Sequence, residues 1–345
     1  MTRSVEVVIR DETTPIASAG FGLALVFADD VEYEYDEITS TADIDTDIID
    51  TDHLAYEMVQ RFFEQEPNYG EIAIYGADVQ GDEELDYEDA LNDLAIDHND
   101  WYFLLFANRD ASDIADVASW AGANEKLMIT QPNHTLSVAD ITAMSDTIAS
   151  NRVGVYAHDG GRDEEDQHLD AGIVGKMSSF DAGQATWKFK GLNGVSVATY
   201  ENSDINEFHD ANINTYIREM GRDFTSEGYH TDGGFLDITR SIDWLKARIQ
   251  EEIFFLLINQ DKVAYDDKGI AQVVAQLRGV LQRATGQGII ARDIETGDGL
   301  WEIDYPSRSE IADTDLADRL LPDIYFEATV AGAVHEVEVE GVLKV

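Results

Sequence analysis

The sequence contains no cysteine, which excludes disulfides, thiolate metal sites and cysteine nucleophiles. Cations are scarce: 23 Lys and Arg stand against 70 Asp and Glu, for a formal net charge of −47. Lysine occurs only at Lys126, Lys176, Lys188, Lys190, Lys246, Lys262, Lys268 and Lys344. Gripping a phosphate backbone requires basic patches that release counterions, and so negative a field repels nucleic acid and anionic lipid alike. Neither is expected as a partner. Long apolar runs are also missing, the longest being Phe21–Ala28 and Ile253–Ile258, far short of the ~20 residues that span a bilayer. The stretch from Met1 to Glu12 lacks the apolar core of a secretory signal, so export by that route is not expected.

What is present suffices for a folded body of about two domains: 345 residues, 44% hydrophobic, with 14 Phe, 14 Tyr and 5 Trp. The acidic residues are spread through segments with good helix and strand periodicity, so the charge reads as a coat on a globular protein. This composition resembles that of proteins from salt-in haloarchaea and their viruses. At ~1 M salt the Debye length is roughly 3 Å, so self-repulsion is screened. Loss of fold or assembly at low salt is the expectation.

Short strand-like runs at Phe21–Ala28, Glu71–Tyr75, Trp101–Phe106, Lys126–Thr130 and Arg152–Ala157 alternate with helical patterns. Leu54, Met58 and Phe62 lie one turn apart, Leu85–Leu94 is amphipathic, and Ile114, Val117 and Trp120 form a stripe, as does Val138–Ile148. Such alternation predicts an α/β domain with a largely parallel sheet. The middle is less periodic, with a helix predicted near His168–Ser179 and a strand at Thr186–Leu192. Asp232-Gly233-Gly234 is the boundary candidate.

Beyond it, Ser241 is placed to cap a helix running through Gln260, whose last turns (Phe254, Phe255, Leu257, Ile258) are apolar nearly all round and are expected to be buried. A second helix begins near Lys268, with Gly286 placed to end it. Strands are predicted at Leu300–Tyr305, Asp323–Ala328, Val334–Glu340 and Val342–Val345.

Motifs for chemistry are weak. Gly175-Lys176-Met177-Ser178-Ser179 lacks the glycine spacing and the hydroxyl of a phosphate loop, so Lys176 reads as a helix cation. Gly20-Phe21-Gly22 precedes a strand instead of following one, unlike a dinucleotide fingerprint. Asp43-Ile44-Asp45-Thr46-Asp47 has the acid spacing of a calcium loop but Ile48 at its sixth position and no closing Glu. No histidine pair has zinc-helix spacing and no Gly-x-Ser-x-Gly elbow occurs, so no catalytic residue, cofactor or metal ligand is assigned. Asn133-His134-Thr135 matches the glycosylation pattern, which is frequent by chance.

The chain ends carry more information. Val5, Val7 and Ile9 alternate with Glu6, Val8 and Arg10, and Glu336-Val337-Glu338-Val339-Glu340 alternates strictly. Terminal strands are edge strands that can join a neighbour's sheet.

The run from Phe235 to Phe254, FLDITRSIDWLKARIQEEIF, resembles the long helix of contractile-tail sheath proteins of tailed viruses. The resemblance continues in order through Val263–Ile270, Arg319–Phe326 and Ala331-Gly332-Ala333-Val334-His335. It extends more loosely to Tyr35–Ser40, Phe62–Gln65, Gly70–Ile74, Trp101–Phe103 and Trp187–Lys190. It implies a structural subunit, not an enzyme, that forms hexameric rings around a tail tube and contracts to drive the tube through the host envelope.

The implied architecture is an outer α/β domain at 21–232, subtilisin-like without an active site, and an inner α+β domain that combines an amino-terminal arm at 1–20 with residues 233–345. The exchange strands would include Val5, Val7, Ile9, Val337, Val339, Val342, Leu343 and Val345. Implied partners are other copies, the tail tube protein, and baseplate and terminator proteins. Arg240, Lys246 and Arg248 are the candidate tube-facing cations, with local pairing to Asp237, Asp243 and Glu252 as the alternative. Competing readings are a halophilic α/β hydrolase or nucleotide-binding enzyme, or another tail subunit from the tube or baseplate.

Overall fold

The computed structural model describes residues 20–81, 84–162 and 165–337. In chain order its elements are β1 (Ala24–Ala28), β2 (Tyr33–Ile38), α1 (Leu54–Phe63), β3 (Ile72–Gly76), α2 (Tyr87–Asp97), β4 (Phe103–Phe106), α3 (Ala111–Ala123), β5 (Leu127–Thr130), α4 (Val138–Ile148), β6 (Val153–Ala157), α5 (Leu169–Ser178) and α6 (Asn202–Asp210). There follow β7 (Asn214–Glu219), β8 (Arg222–Thr225), α7 (Leu236–Asn259), α8 (Asp267–Gln287), β9 (Trp301–Asp304), α9 (Asp313–Asp318) and β10 (Tyr325–Ala328).

Eight strands form one sheet in the order β2-β3-β1-β4-β5-β6-β7-β8, parallel from β3 to β7 and closed by an antiparallel strand at each edge. The parallel strands read as continuous apolar runs because helices cover both faces. Every residue of β1, β4, β5 and β6 is buried. Along β1, Val26 points into one core with Met58, Ile173, Leu245 and Leu281, whereas Leu25 and Phe27 point into the other with Leu91, Ile114, Ile141 and Phe208. The α/β expectation for the first half therefore holds.

The first turns of α7 belong to this body. Leu236, Trp244, Leu245 and Ile249 lie in the same apolar cluster as Val26, Ile74 and Leu105, joined there by Leu277 and Val280 of α8. A continuous core thus crosses the boundary read at 232/233.

Several local expectations need correction. Thr186–Leu192 is not a strand. It is an irregular segment pinned by the buried Trp187, whose carbonyl accepts from Thr225 Oγ1 over 2.6 Å. Helix α7 starts at Leu236, and Ser241 lies inside it with its hydroxyl donating to the Asp237 carbonyl over 2.7 Å. Helix α8 runs past Gly286 and is closed by Gly288, whose φ of 88° supplies the left-handed cap. Residues 334–337, read as the start of a strand, have no regular structure.

Candidate functional site

Strands β9 and β10 pair antiparallel as a separate two-stranded sheet, with Tyr325 opposite Asp304 and Ala328 opposite Trp301. One face is apolar: Trp301, Ile303, Phe326 and Ala328 pack on the main core, while Glu302, Asp304, Tyr325 and Glu327 are exposed. Its base is tied to the end of α8, with the Ala291 amide donating to the Thr329 carbonyl and the Leu300 amide to the Ala291 carbonyl, each over 2.8 Å. Among the described residues, no further strand pairs with the outer edge of either β9 or β10. Two strands alone are marginal, and bare edges are templates for another chain.

A second unfinished surface lies at the end of α7. Phe254, Phe255, Leu257 and Ile258 are 43%, 48%, 37% and 56% exposed, where burial was expected. Past Ile253 the helix leaves the main core; it runs alongside α8, to which it is tied by an Arg283–Glu252 ion pair of 2.7 Å. That leaves a broad apolar arc that the other described residues do not cover.

The three cations read as tube-facing behave differently from one another. Arg240 is buried, and its guanidinium donates to the carbonyls of Phe21 and Phe180 (2.7 Å each) and Met177 (3.1 Å). Burial brings its pKa down to about 10. Lys246 is buried and bonded to Glu125. Both side chains are buried and bonded within the subunit, where the sequence reading had them facing a tube. Arg248 keeps partial exposure and pairs with Glu251. Of the acids read as their local partners, Asp243 forms its ion pair with Arg152 while also feeling the Lys246 charge, and Glu252 pairs with Arg283. Helical spacing shows where a charge sits along a helix; its burial depends on partners distant in sequence.

Other buried charges are structural in the same way. Arg109, after β4, is bonded to Asp166 at 2.7 Å and Asp170 at 2.6 Å. Burial opposes ionisation of Asp166, but the Arg109 charge holds its carboxyl well below the usual carboxylate range. Lys176 reaches the Glu66 carbonyl over 2.6 Å, a contact that joins two segments of the body. No group of three or more His, Asp or Glu able to hold a metal ion occurs among the described residues, and no described helix is long and apolar enough to cross a membrane.

Of the exchange-strand residues, Val5, Val7, Ile9, Val339, Val342, Leu343 and Val345 lie outside the described residues. Val337 is described, in an irregular and exposed stretch. The sequence reading missed the socket that receives His335, formed by Thr186, Glu227 and Phe235; no local signal links these positions.

Residues 236–342 match the family described as E217 tail sheath protein gp31-like, C-terminal domain. The chain is similar over its whole length to the anti-feeding prophage helical sheath in its contracted state, at 14% identity with a TM-score of 0.69, covering 100% of both chains. It is equally similar in fold to a chain of the contracted sheath complex of an extracellular contractile injection system, at 13% identity and a TM-score of 0.69, covering 100% of this chain and 99% of that one. The sheath tail protein of Listeria innocua is similar at 9% identity and a TM-score of 0.59, covering 84% of this chain and 90% of that one. A comparison with curated protein sequences finds no match. The fold is that of contractile sheath subunits.

Proposed function

We infer that the chain is a contractile tail sheath subunit that works by completing its sheets with backbone from identical copies. The observation that carries this reading is the β9–β10 sheet, open at both edges within the described residues and lying in the region that matches the sheath family. Residues Val5–Ile9 and Val337–Val345, with their alternating apolar positions, are the donors. The exposed end of α7 is a second contact face. Copies carrying −47 each repel one another at long range, so apolar area together with the shared backbone has to supply the attraction.

In this reading subunits stack as hexameric rings around a tail tube, with baseplate and terminator proteins at the two ends. Main-chain ladders keep neighbours connected while the α/β bodies pivot into a second packing of lower free energy, driving the tube through the host envelope and allowing genome ejection. The α/β body is a subtilisin-like scaffold that needs no active site, and the terminal arms with the β9–β10 region form the inner domain. Arg248, with its partial exposure, is the remaining tube-facing candidate of the three cations. The acidic coat suits a virus of a haloarchaeon, assembled in the host cytoplasm and carried in the virion tail.

Deletion of Met1–Arg10 tests the arm directly. Electron microscopy in molar salt should find folded subunits without ordered tubes. Tubes formed as readily as by the full chain would rule out strand donation by this arm.

A further inference from the structure

After Ala331, whose amide donates to the Ile289 carbonyl over 2.8 Å, the chain runs without helix or strand to Val337. From residue 332 to 337 every residue is exposed except His335; Val334 and Val337 are 74% and 76% exposed, whereas the His335 side chain keeps 13%. The imidazole enters a built socket. Its Nε2 lies 2.9 Å from Thr186 Oγ1 and its Nδ1 3.4 Å from Glu227 Oε2. Its ring stands edge-on to Phe235, with centroids 5.0 Å apart at 86°, and Phe189 closes another side at 6.4 Å.

The walls of this socket are themselves fixed. Glu227 is bonded to Lys188, and both side chains are nearly buried. Burial disfavours the charged Glu227, but the Lys188 bond and charge, together with His209 and His335, outweigh it and hold the carboxyl below its ordinary range. Phe235 is the residue that opens α7, so the socket joins the irregular 186–189 segment, the stretch after β8 and the long helix.

A solvated segment with one inward side chain, hydrogen-bonded by a hydroxyl and enclosed by a carboxylate and two rings, has the construction of a tether. We propose that His335 is the positioning residue that anchors the carboxy-terminal segment to the α/β body, so that residues 338–345 begin from a fixed point. This rests on the sheath reading for its purpose: a strand lent to a neighbour transmits force only if its root does not slide. Ordering a free backbone costs conformational entropy at every residue, and a pre-anchored root reduces the part of that cost met at assembly.

The absence of cysteine makes the test clean, since Val334→Cys provides a single spin-label site on the full-length chain. In molar salt the label should be restrained in the otherwise unaltered chain, and His335→Ala should shorten its correlation time by roughly tenfold, toward free loop motion, with the melting temperature unmoved. His335→Gln, which keeps a polar group near Thr186, should recover part of the restraint. Thr186→Val removes only the hydroxyl partner and carries the same test should His335→Ala fail to fold. Equal label motion with and without His335 would overturn the anchor. Tube formation by the chain with His335 intact is scored separately: its failure counts against the sheath reading, while the label still decides the anchor on the free subunit.

Discussion

Arg152 and Asp243 form an ion pair inside the subunit that ties the start of β6 to α7, and Tyr102 Oη donates to the same Asp243 carboxylate oxygen over 2.7 Å. Burial pushes the Asp243 carboxyl up, against the opposing pull of Arg152. Breaking one side of such a pair leaves an uncompensated charge in the core. Asp243→Ala should therefore lower unfolding stability by about 3–5 kcal/mol. Replacing both partners by apolar residues of similar volume should cost much less. Denaturant unfolding of the single and double variants in molar salt checks this, and equal losses would place the effect elsewhere.

The net charge of −47 sets the salt response. Unscreened repulsion between surface carboxylates opposes a compact fold, and at ~1 M salt the screening length falls to roughly 3 Å. The melting temperature should fall continuously as salt is removed, and assembly should be lost before the fold. An unchanged melting curve in dilute buffer would contradict the role assigned to the acidic coat.

Lys126 gives the pH dependence a distinct window. Burial lowers its pKa from 10.5 to about 7, although its Nζ donates to the Trp101 carbonyl over 2.6 Å and sits 3.8 Å from the Trp101 ring centroid. Between these two values the unfolded chain holds more protons, so stability should rise with pH across about 7 to 10. Lys190, also lowered by burial, adds with the same sign. The buried His158, His168 and His230, lowered by desolvation, titrate below this window, and Tyr102 and Tyr156, raised by desolvation, above it. Lys126→Met should reduce the slope of melting temperature against pH in this range. An unaltered slope would exclude Lys126 as its source.

The end of α7 separates assembly from stability. Phe255→Ser and Ile258→Ser remove exposed apolar groups and should change subunit stability by no more than about 0.5 kcal/mol each. Covering such a side chain at an interface contributes roughly 1.5–3 kcal/mol before association costs, so the double variant should raise the concentration needed for assembly at least about tenfold. Light scattering in molar salt reads this. Assembly unaffected by both changes would remove the face from the interface.

Much of the body was legible in the sequence because most of its parallel strands are short apolar runs: β1, β4, β5 and β6 lie within the predicted segments, and β3 overruns its segment only by Gly76. Strand β2, with the sequence Tyr-Glu-Tyr-Asp-Glu-Ile, escaped because it is an acidic edge strand with little apolar signal. The β7–β8 hairpin escaped because its strands are largely polar and its turn places Met220 at a positive φ of 48°, where Gly or Asn is the usual signal. Thr186–Leu192 misled because its buried residues, Trp187, Lys188 and Leu192, do not alternate as those of a strand would. The cations of α7 were visible as charges, but the partners that bury Lys246 and Arg240 come from Glu125 and from carbonyls of Phe21, Met177 and Phe180. The end of α7 departs from the burial expected of its apolar turns: the other described residues leave them exposed, as at a surface that meets another chain.

The central claim concerns the open edges of β9 and β10. A cryo-electron microscopy map of tubes assembled from the full chain in molar salt tests it at the level of backbone connectivity. The account expects this two-stranded sheet to be extended by strands traced to neighbouring copies. Subunits that stay solitary, or a sheet whose edges are bare or filled only by the same chain, would contradict it.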